Sequence, residues 1–573
     1  MRSQAILRIR IITGLVLLVA ATLLVRLYIL QVERTEAFAE QANQQYIHTV
    51  QNIFNRGSIF FTTRTGERVS AAAVRSGFVV AINPQRVIDP VKYYEMLSPF
   101  LAIDEETFIR RATLPNRTYV EIADRVIAAE AEEIAALTLP GVMLYRNQWR
   151  YYPGDSLAAQ TLGFVAQSED PNEPMRGRYG LERQYDAVLT RDNQALAVNL
   201  FAEVFGHISG VIGTNNRESE PGHIITTLEP SVSRMFDRTL LDMHERYGSV
   251  YTGGIIMNPQ TGAILALTNI PTYNNNDRRG VSVERFRNPL VEDVYEFGSI
   301  MKPITIAAGI DDGTITPETQ FNDTGAITLD RFTIRNFDGR ARGMVTMQEV
   351  LNNSLNTGVS YIVDRMGTAN FRDYLLALGV SEPSGIDLPN DTRGLTSNLN
   401  SPRRVEFATA SFGQGVAVSP MTMTRMLAAL GNGGRQVIPH LVSAIEHDDG
   451  RLEVFEPTLG PVVFSTATSE TISRMLVDTV DTALRGGQFS LPRHTVGAKT
   501  GTAQIPNPQT GGYYEDRFLH SFFGYFPAYD PEFLILIYTI DPQGVRYASE
   551  TLTEPFMDMT QFLLNYYEIP PDR

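Results

Sequence analysis

The chain has 573 residues, of which 43% are apolar and 20% charged, room for about three domains of the usual size and enough apolar surface to build their cores. Its 49 Lys and Arg against 64 Asp and Glu give a net charge of −15, the opposite of the basic field that captures phosphates, so no nucleic-acid partner is expected. The absence of cysteine excludes disulfides, a thiolate nucleophile and Cys-type zinc or iron–sulfur sites.

Residues 11–32 form an apolar run whose only charge is Arg26, the length of one membrane-crossing helix. Arg2, Arg8 and Arg10 precede it without an acid among them. The positive-inside bias therefore puts residues 1–10 in the cytoplasm and the body on the far, periplasmic side. Arg26 lies toward the outer end, where its long side chain reaches the interface. A cleaved signal sequence ending near Val19-Ala20-Ala21 is the alternative, but the run continues through Leu23, Leu24, Leu27 and Leu30, too long and bulky for one. The expectation is a single-pass anchor in the inner, cytoplasmic membrane.

From 33 to 222, short β-like runs alternate with polar helical segments around turns such as Thr65-Gly66, without a chemistry-bearing pattern. This stretch reads as a pedestal. Within it, Ile127, Ala131, Ile134 and Leu137 predict one amphipathic helix over 123–137. Near Pro221-Gly222 the texture changes. A helical stripe of Leu228, Val232, Met235, Phe236 and Leu240 leads into predicted strands over 250–257 and 263–269, joined by Asn258-Pro259-Gln260-Thr261-Gly262. Ser419-Pro420 opens a capped helix that Gly431, Gly433 and Gly434 stop. Strands are predicted over 496–505, 519–527 and 533–540, the last so apolar that both its faces should be buried, and a short helix-like tail follows. Residues 223–573 are accordingly α+β, with helices between an early and a late group of strands.

Lysine occurs at only three positions, Lys92, Lys302 and Lys499; the other basic residues are Arg. Where a chain accepts Arg almost everywhere, a retained Lys points to work a guanidinium cannot do, because Lys loses its proton when buried or beside another cation. Ser299-Ile300-Met301-Lys302 puts a hydroxyl and an amine on one helix face. Pro303 fits only in a first turn, so the helix should begin at the serine, beside the positive end of its dipole. Further on, Ser354-Leu355-Asn356 sits in a stretch where Leu351, Leu355, Val359 and Val363 share a helical face. Lys499-Thr500-Gly501-Thr502 lies on a predicted strand, where Gly501 marks a close approach of backbone or ligand and the lysine offers a cation to a carboxylate.

Ser299-x-x-Lys302, Ser354-x-Asn356 and Lys499-Thr500-Gly501, in that order, resemble the motifs of the penicillin-binding protein and serine β-lactamase superfamily. The whole chain resembles a class B, monofunctional peptidoglycan D,D-transpeptidase. The further similarities are Arg56-Gly57-Ser58-Ile59, the run from Tyr179 to Asp186, Ser411-Phe412-Gly413-Gln414-Gly415, Ser419-Pro420-Met421-Thr422 and Gly431-Asn432-Gly433-Gly434. These are more like septal, cell-division members than elongation members. The resemblance implies a transmembrane anchor (11–32), a pedestal or dimerisation-like domain (33–222) and a transpeptidase domain (223–573) with an antiparallel sheet flanked by helices. The pedestal departs most from the family pattern.

By this resemblance Ser299 attacks the D-Ala-D-Ala bond of a peptidoglycan stem peptide to form an acyl-enzyme. Lys302, neutral through burial and the nearby charge of Lys499, takes the serine proton, and Ser354 relays it. Asn356 binds the donor and helps orient Lys302, while Lys499 and Thr500 hold the terminal carboxylate beside Gly501. Backbone N–H groups of Ser299 and Thr502 form the oxyanion hole. β-Lactams are covalent inhibitors, no metal or other cofactor is used, and a membrane-embedded glycan polymerase and division proteins are the implied partners. The alternatives are a β-lactamase or D,D-carboxypeptidase, which needs a group to activate water, and a non-catalytic penicillin sensor or division scaffold. A Ser-His-Asp hydrolase lacks its Gly-x-Ser-x-Gly elbow, and His494 and His520 read as structural.

Overall fold

The apolar run over 533–540 is the middle strand of a five-stranded sheet. The computed structural model describes residues 55–167, 175–191 and 220–573. The expected anchor at 11–32 and the tail at 1–10 lie outside the described residues, among which no helix is long and apolar enough to cross a membrane. Strands β1 (Tyr251–Met257), β2 (Ile264–Ile270), β3 (Gly497–Pro506), β4 (Tyr513–Phe526) and β5 (Phe533–Ile540) form one sheet in the order β3-β4-β5-β1-β2. Every neighbouring pair is antiparallel. Alternate β5 residues point to opposite faces. Phe533, Ile535 and Ile537 enter one apolar core, and Leu534, Leu536 and Tyr538 another.

The first core is closed by helix α1 (Pro230–Tyr247), whose Val232, Phe236 and Leu240 are buried, and by the C-terminal helix α6 (Thr553–Tyr566), through Phe556 and Leu563. The second holds a helical layer that includes α2 (Lys302–Asp311), α3 (Met347–Asn352), α4 (Asn356–Met366) and α5 (Pro420–Gly431). The Ser419 side chain caps α5 by accepting from Thr422 N–H, with Pro420 in the first turn, as the sequence signals require.

The chain divides into two compact units. The larger contains residues 56–74, 150–191 and 220–573 of those described, and the smaller residues 55 and 75–149. In the larger, Ile59–Thr62 pairs in parallel with Gly222–Thr226, which pairs antiparallel with Val442–His447. Gly57 is required there, because a Cβ at this position would fall 1.9 Å from the Gly222 carbonyl oxygen. Glu182, fully buried, receives Arg56 Nε at 2.7 Å, Arg150 Nε at 2.5 Å and the Tyr152 hydroxyl at 3.2 Å. Both quoted segments before 222, Arg56–Ile59 and Tyr179–Asp186, thus contribute to this buried ionic knot.

In the smaller unit, Phe78 to Ile82 pair with Val120–Val126, and Val80, Ile82, Leu97, Phe108, Ile122 and Ile134 form the core. The single helix expected over 123–137 is corrected: Val120–Val126 is a strand and the helix runs Ala128–Ala136. Sheet pairing takes residues 123–126, and the Glu130 carboxylate accepts from Ile127 N–H to start the helix after them.

Candidate active site

Ser299 occupies a short 3-10 turn, Gly298–Met301, that leads into α2. Pro303 has no N–H to return to the Ser299 carbonyl. Instead the Lys302 N–H donates to it, an i to i−3 bond, so the α-helix proper begins at Lys302 and not at the serine. Eight of the ten α2 residues are buried, which holds the turn against a packed layer. The turn is also tied to its surroundings. Gly298, at φ +65°, donates its N–H to Gly413 O at 3.2 Å, and the Ser521 hydroxyl donates to Phe297 O at 2.8 Å. Glu296 accepts from Gly415 N–H at 3.0 Å and from the Tyr513 hydroxyl at 2.8 Å. The Ser411–Gly415 segment therefore forms part of the seat of this turn, a role its sequence did not reveal.

Gly501 explains how β3 comes so close. A Cβ there would meet Ser521 Oγ at 2.4 Å, Phe297 O at 2.6 Å and Ile300 N at 3.0 Å. A Cβ on Gly298 would lie 2.8 Å from Thr502 O. The backbones of the Ser299 turn and of the strand around Thr502 are consequently in van der Waals contact, with no side chain between them.

Ser354 stands between α3 and α4 at φ +52°, so the continuous helical face inferred from Leu351 to Val363 is broken. Leu355 N–H donates to Val350 O at 3.0 Å and Ser354 N–H to Leu351 O at 3.1 Å, the Schellman pattern with serine in the left-handed position that glycine usually takes. This turn presents both Ser354 oxygens to Lys302: Nζ donates to Ser354 O at 2.5 Å and to Ser354 Oγ at 3.0 Å. The Lys302 ammonium is thus hydrogen-bonded to Ser354, not to Ser299 or Asn356. The Asn356 amide donates to Arg335 O at 2.9 Å.

Lys302 is 1% exposed and Lys499 5%. Burial, and next the positive charge of Lys499, push Lys302 well below the ordinary lysine value. Burial lowers Lys499 to about 8, and its Nζ donates to Thr500 O at 3.1 Å. The Thr502 hydroxyl accepts from Ala548 N–H at 3.1 Å. The third lysine, Lys92, is exposed in the smaller unit.

Ser299, Lys302, Ser354, Asn356, Lys499, Thr500 and Thr502 all line one cleft of about 730 Å³. Gly501 lies on the same strand at the closest approach to the serine turn. Sequence reasoning did not find Arg335, Phe337, Arg485, Arg546 and Tyr547 on its walls. They come from loops and a hairpin without a motif, and the sequence carries no signal for them. His520 does not line the cleft. Its ring nitrogens lie 3.0 Å from Thr551 Oγ1 and from Arg546 O, and burial lowers it to about 4. Among the described residues, no group of three or more His, Cys, Asp or Glu is placed to hold a metal ion.

The family described as the penicillin binding protein transpeptidase domain matches residues 252–560, and the penicillin-binding protein dimerisation domain matches residues 16–227. The stage V sporulation protein D of Bacillus subtilis is 28% identical over 497 residues, covering 85% of this chain and 75% of that protein. The peptidoglycan D,D-transpeptidase FtsI of Escherichia coli is 26% identical over 579 residues, covering 99% and 92%. The crystal structure of penicillin binding protein 2X from Streptococcus thermophilus shares the fold with a TM-score of 0.70 at 19% identity, covering 90% of this chain and 80% of that one. Matched over more than half its length by the transpeptidase domain, with the dimerisation domain ahead of it, the chain belongs to the penicillin-binding protein family as a class B member.

Proposed function

We propose that this protein is a serine D,D-transpeptidase that cross-links peptidoglycan stem peptides, acting at the division septum. The observation that carries the chemistry is a buried lysine, held by Ser354 and facing a second buried lysine, in the cleft that Ser299 lines. Ser299 Oγ attacks the carbonyl between the terminal D-alanines while Lys302 takes its proton. The new Oγ–C bond forms, the C–N bond breaks, and the proton passes by way of Ser354 to the departing D-alanine amine. An amine of a second stem then attacks the ester, restoring the serine hydroxyl and leaving the cross-link. Lys499 and Thr500 hold the terminal carboxylate and Asn356 the donor backbone. The amides of Ser299 and Thr502, on the two backbones that Gly298 and Gly501 bring together, carry the developing oxyanion.

The septal assignment is supported by the cell-division-type segments of the sequence and by similarity to the E. coli transpeptidase FtsI. An anchor over 11–32 would place the catalytic domain on the periplasmic side, next to a membrane-embedded glycan polymerase and division proteins. Labelled penicillin tests the site: mass spectrometry is expected to find the adduct on Ser299, and a folded Ser299→Ala variant to take up no label. Label retained covalently by that variant would overturn the assignment. Incubation with stem peptides should yield cross-linked dimer; hydrolysed peptide alone would favour the carboxypeptidase reading.

A further inference from the structure

The cleft is electropositive in an acidic chain. Besides Lys302, whose proposed role needs it neutral, its lining includes Arg335, Arg342, Arg485, Lys499 and Arg546 against one carboxylate, Glu515. Arg342 is paired with Asp338 at 2.9 Å. Among the described residues, Arg335, Arg485 and Arg546 have no carboxylate within salt-bridge distance, although the chain carries 64 Asp and Glu. All three line the same cleft. The Phe337 and Tyr547 rings meet edge to face with centroids 5.7 Å apart. Arg335 lies two residues before Phe337, and Arg546 immediately precedes Tyr547, its guanidinium 5.7 Å from that ring centroid. Arg485 reaches the same wall, where Nη1 lies 3.5 Å from Ser549 O.

Both walls are built into the proposed donor site. The Arg335 carbonyl receives the Asn356 amide, and Ala548 N–H donates to Thr502 Oγ1. One wall therefore continues from the Ser354 turn and the other from β3. A penicillin or a plain D-Ala-D-Ala terminus brings one carboxylate, and Lys499 is placed to take it. Three further guanidiniums, exposed and without a carboxylate partner, can take more negative charge than that terminus supplies, and their planar forks suit a carboxylate.

We propose that Arg335, Arg485 and Arg546, around the Phe337–Tyr547 pair, form a second anionic subsite that binds a free side-chain carboxylate of the donor peptide upstream of the scissile bond. This rests on the transpeptidase reading and specifies its substrate: donor stems with a free, not amidated, carboxylate.

The test compares two synthetic donors that end in D-Ala-D-Ala and differ only in whether the residue before that pair carries a side-chain carboxylate or carboxamide. Acyl-enzyme on Ser299 is followed by mass spectrometry in the wild-type protein. The carboxylate donor should acylate about five- to tenfold faster at low salt, the discrimination expected of a charge-assisted hydrogen bond at a partly exposed site. Added salt should shrink that ratio. Arg335→Gln, Arg485→Gln and Arg546→Gln should each reduce the ratio, and the triple variant should bring it near one. Because the ratio is taken within one protein, a general loss of activity cancels. Equal rates in the wild type, or an unchanged ratio in the triple variant, would overturn the subsite while leaving a penicillin adduct on Ser299 intact. Absence of that adduct from the wild type would overturn the underlying transpeptidase reading, and the subsite with it.

Discussion

In the proposed mechanism the two lysines of the cleft have opposite tasks, and their titration sets the pH range in which both are performed. Lys302 must be neutral to accept a proton, and burial together with the Lys499 charge lowers it in that direction. Lys499 must be charged to hold a carboxylate, and burial brings its loss of charge down to about 8. Acylation by penicillin is therefore expected to follow a bell, rising as Lys302 loses its proton and falling above about pH 8 as Lys499 loses its own. Lys499→Gln removes the like charge, so Lys302 rises and the acidic limb moves to higher pH. A stopped-flow pH profile in which that limb stays put would show that the two ammonium groups do not communicate. Lys302→Arg keeps a cation that cannot deprotonate, and acylation should fall about 10²- to 10⁴-fold, the usual contribution of a positioned base.

At the scale of elements, the break between α3 and α4 is what turns a helix-interior serine into a partner for Lys302. Serine at φ +52° bears a strain that glycine avoids, of about 1 kcal/mol. Both Ser354→Ala and Ser354→Gly lose the hydroxyl that receives the Lys302 ammonium, so both should acylate slowly. In urea unfolding the glycine variant should nevertheless be the more stable by about 1 kcal/mol, the reverse of the order inside a continuous helix. An alanine variant that proves the more stable would restore the unbroken helix of the sequence reading. That reading had no means of detecting the break, because Leu351, Leu355, Val359 and Val363 keep a helical spacing while the Schellman turn passes the apolar face from one helix to the next. The five strands and α5 were legible because each declares itself locally, through apolar runs, a Ser-Pro cap and stopping glycines. The contact at Gly501 was legible in kind, as a close approach within a strand, but its partner, the Phe297–Ile300 backbone, lies some two hundred residues earlier.

For the molecule as a whole, the buried knot of Arg56, Arg150 and Glu182 joins chain segments that nothing local in the sequence brings together. Arg56 and Glu182 are separated by 126 positions, and Arg150 carries no motif. Burial pushes the Glu182 carboxyl up, but the guanidiniums of Arg150 and then Arg56 outweigh it and hold the group below its ordinary value. A carboxylate lowered in this way stabilises the fold above its unfolded pKa, and that contribution is lost as pH falls through the folded value. Glu182→Gln keeps the shape and removes the charge, leaving Arg150 without its carboxylate and Arg56 with Asp186 alone at 2.8 Å, each guanidinium on a side chain only 2% exposed. Breaking one side of a buried ionic cluster costs about 3–5 kcal/mol. Urea unfolding at neutral pH should show a loss of that order, and the difference between wild type and variant should narrow on acidification as the wild-type carboxyl takes up its proton. A variant within about 1 kcal/mol of the wild type, the range of an exposed ion pair, would mean that parallel pairing of Ile59–Thr62 with Gly222–Thr226 and the surrounding apolar core hold these segments without the charges.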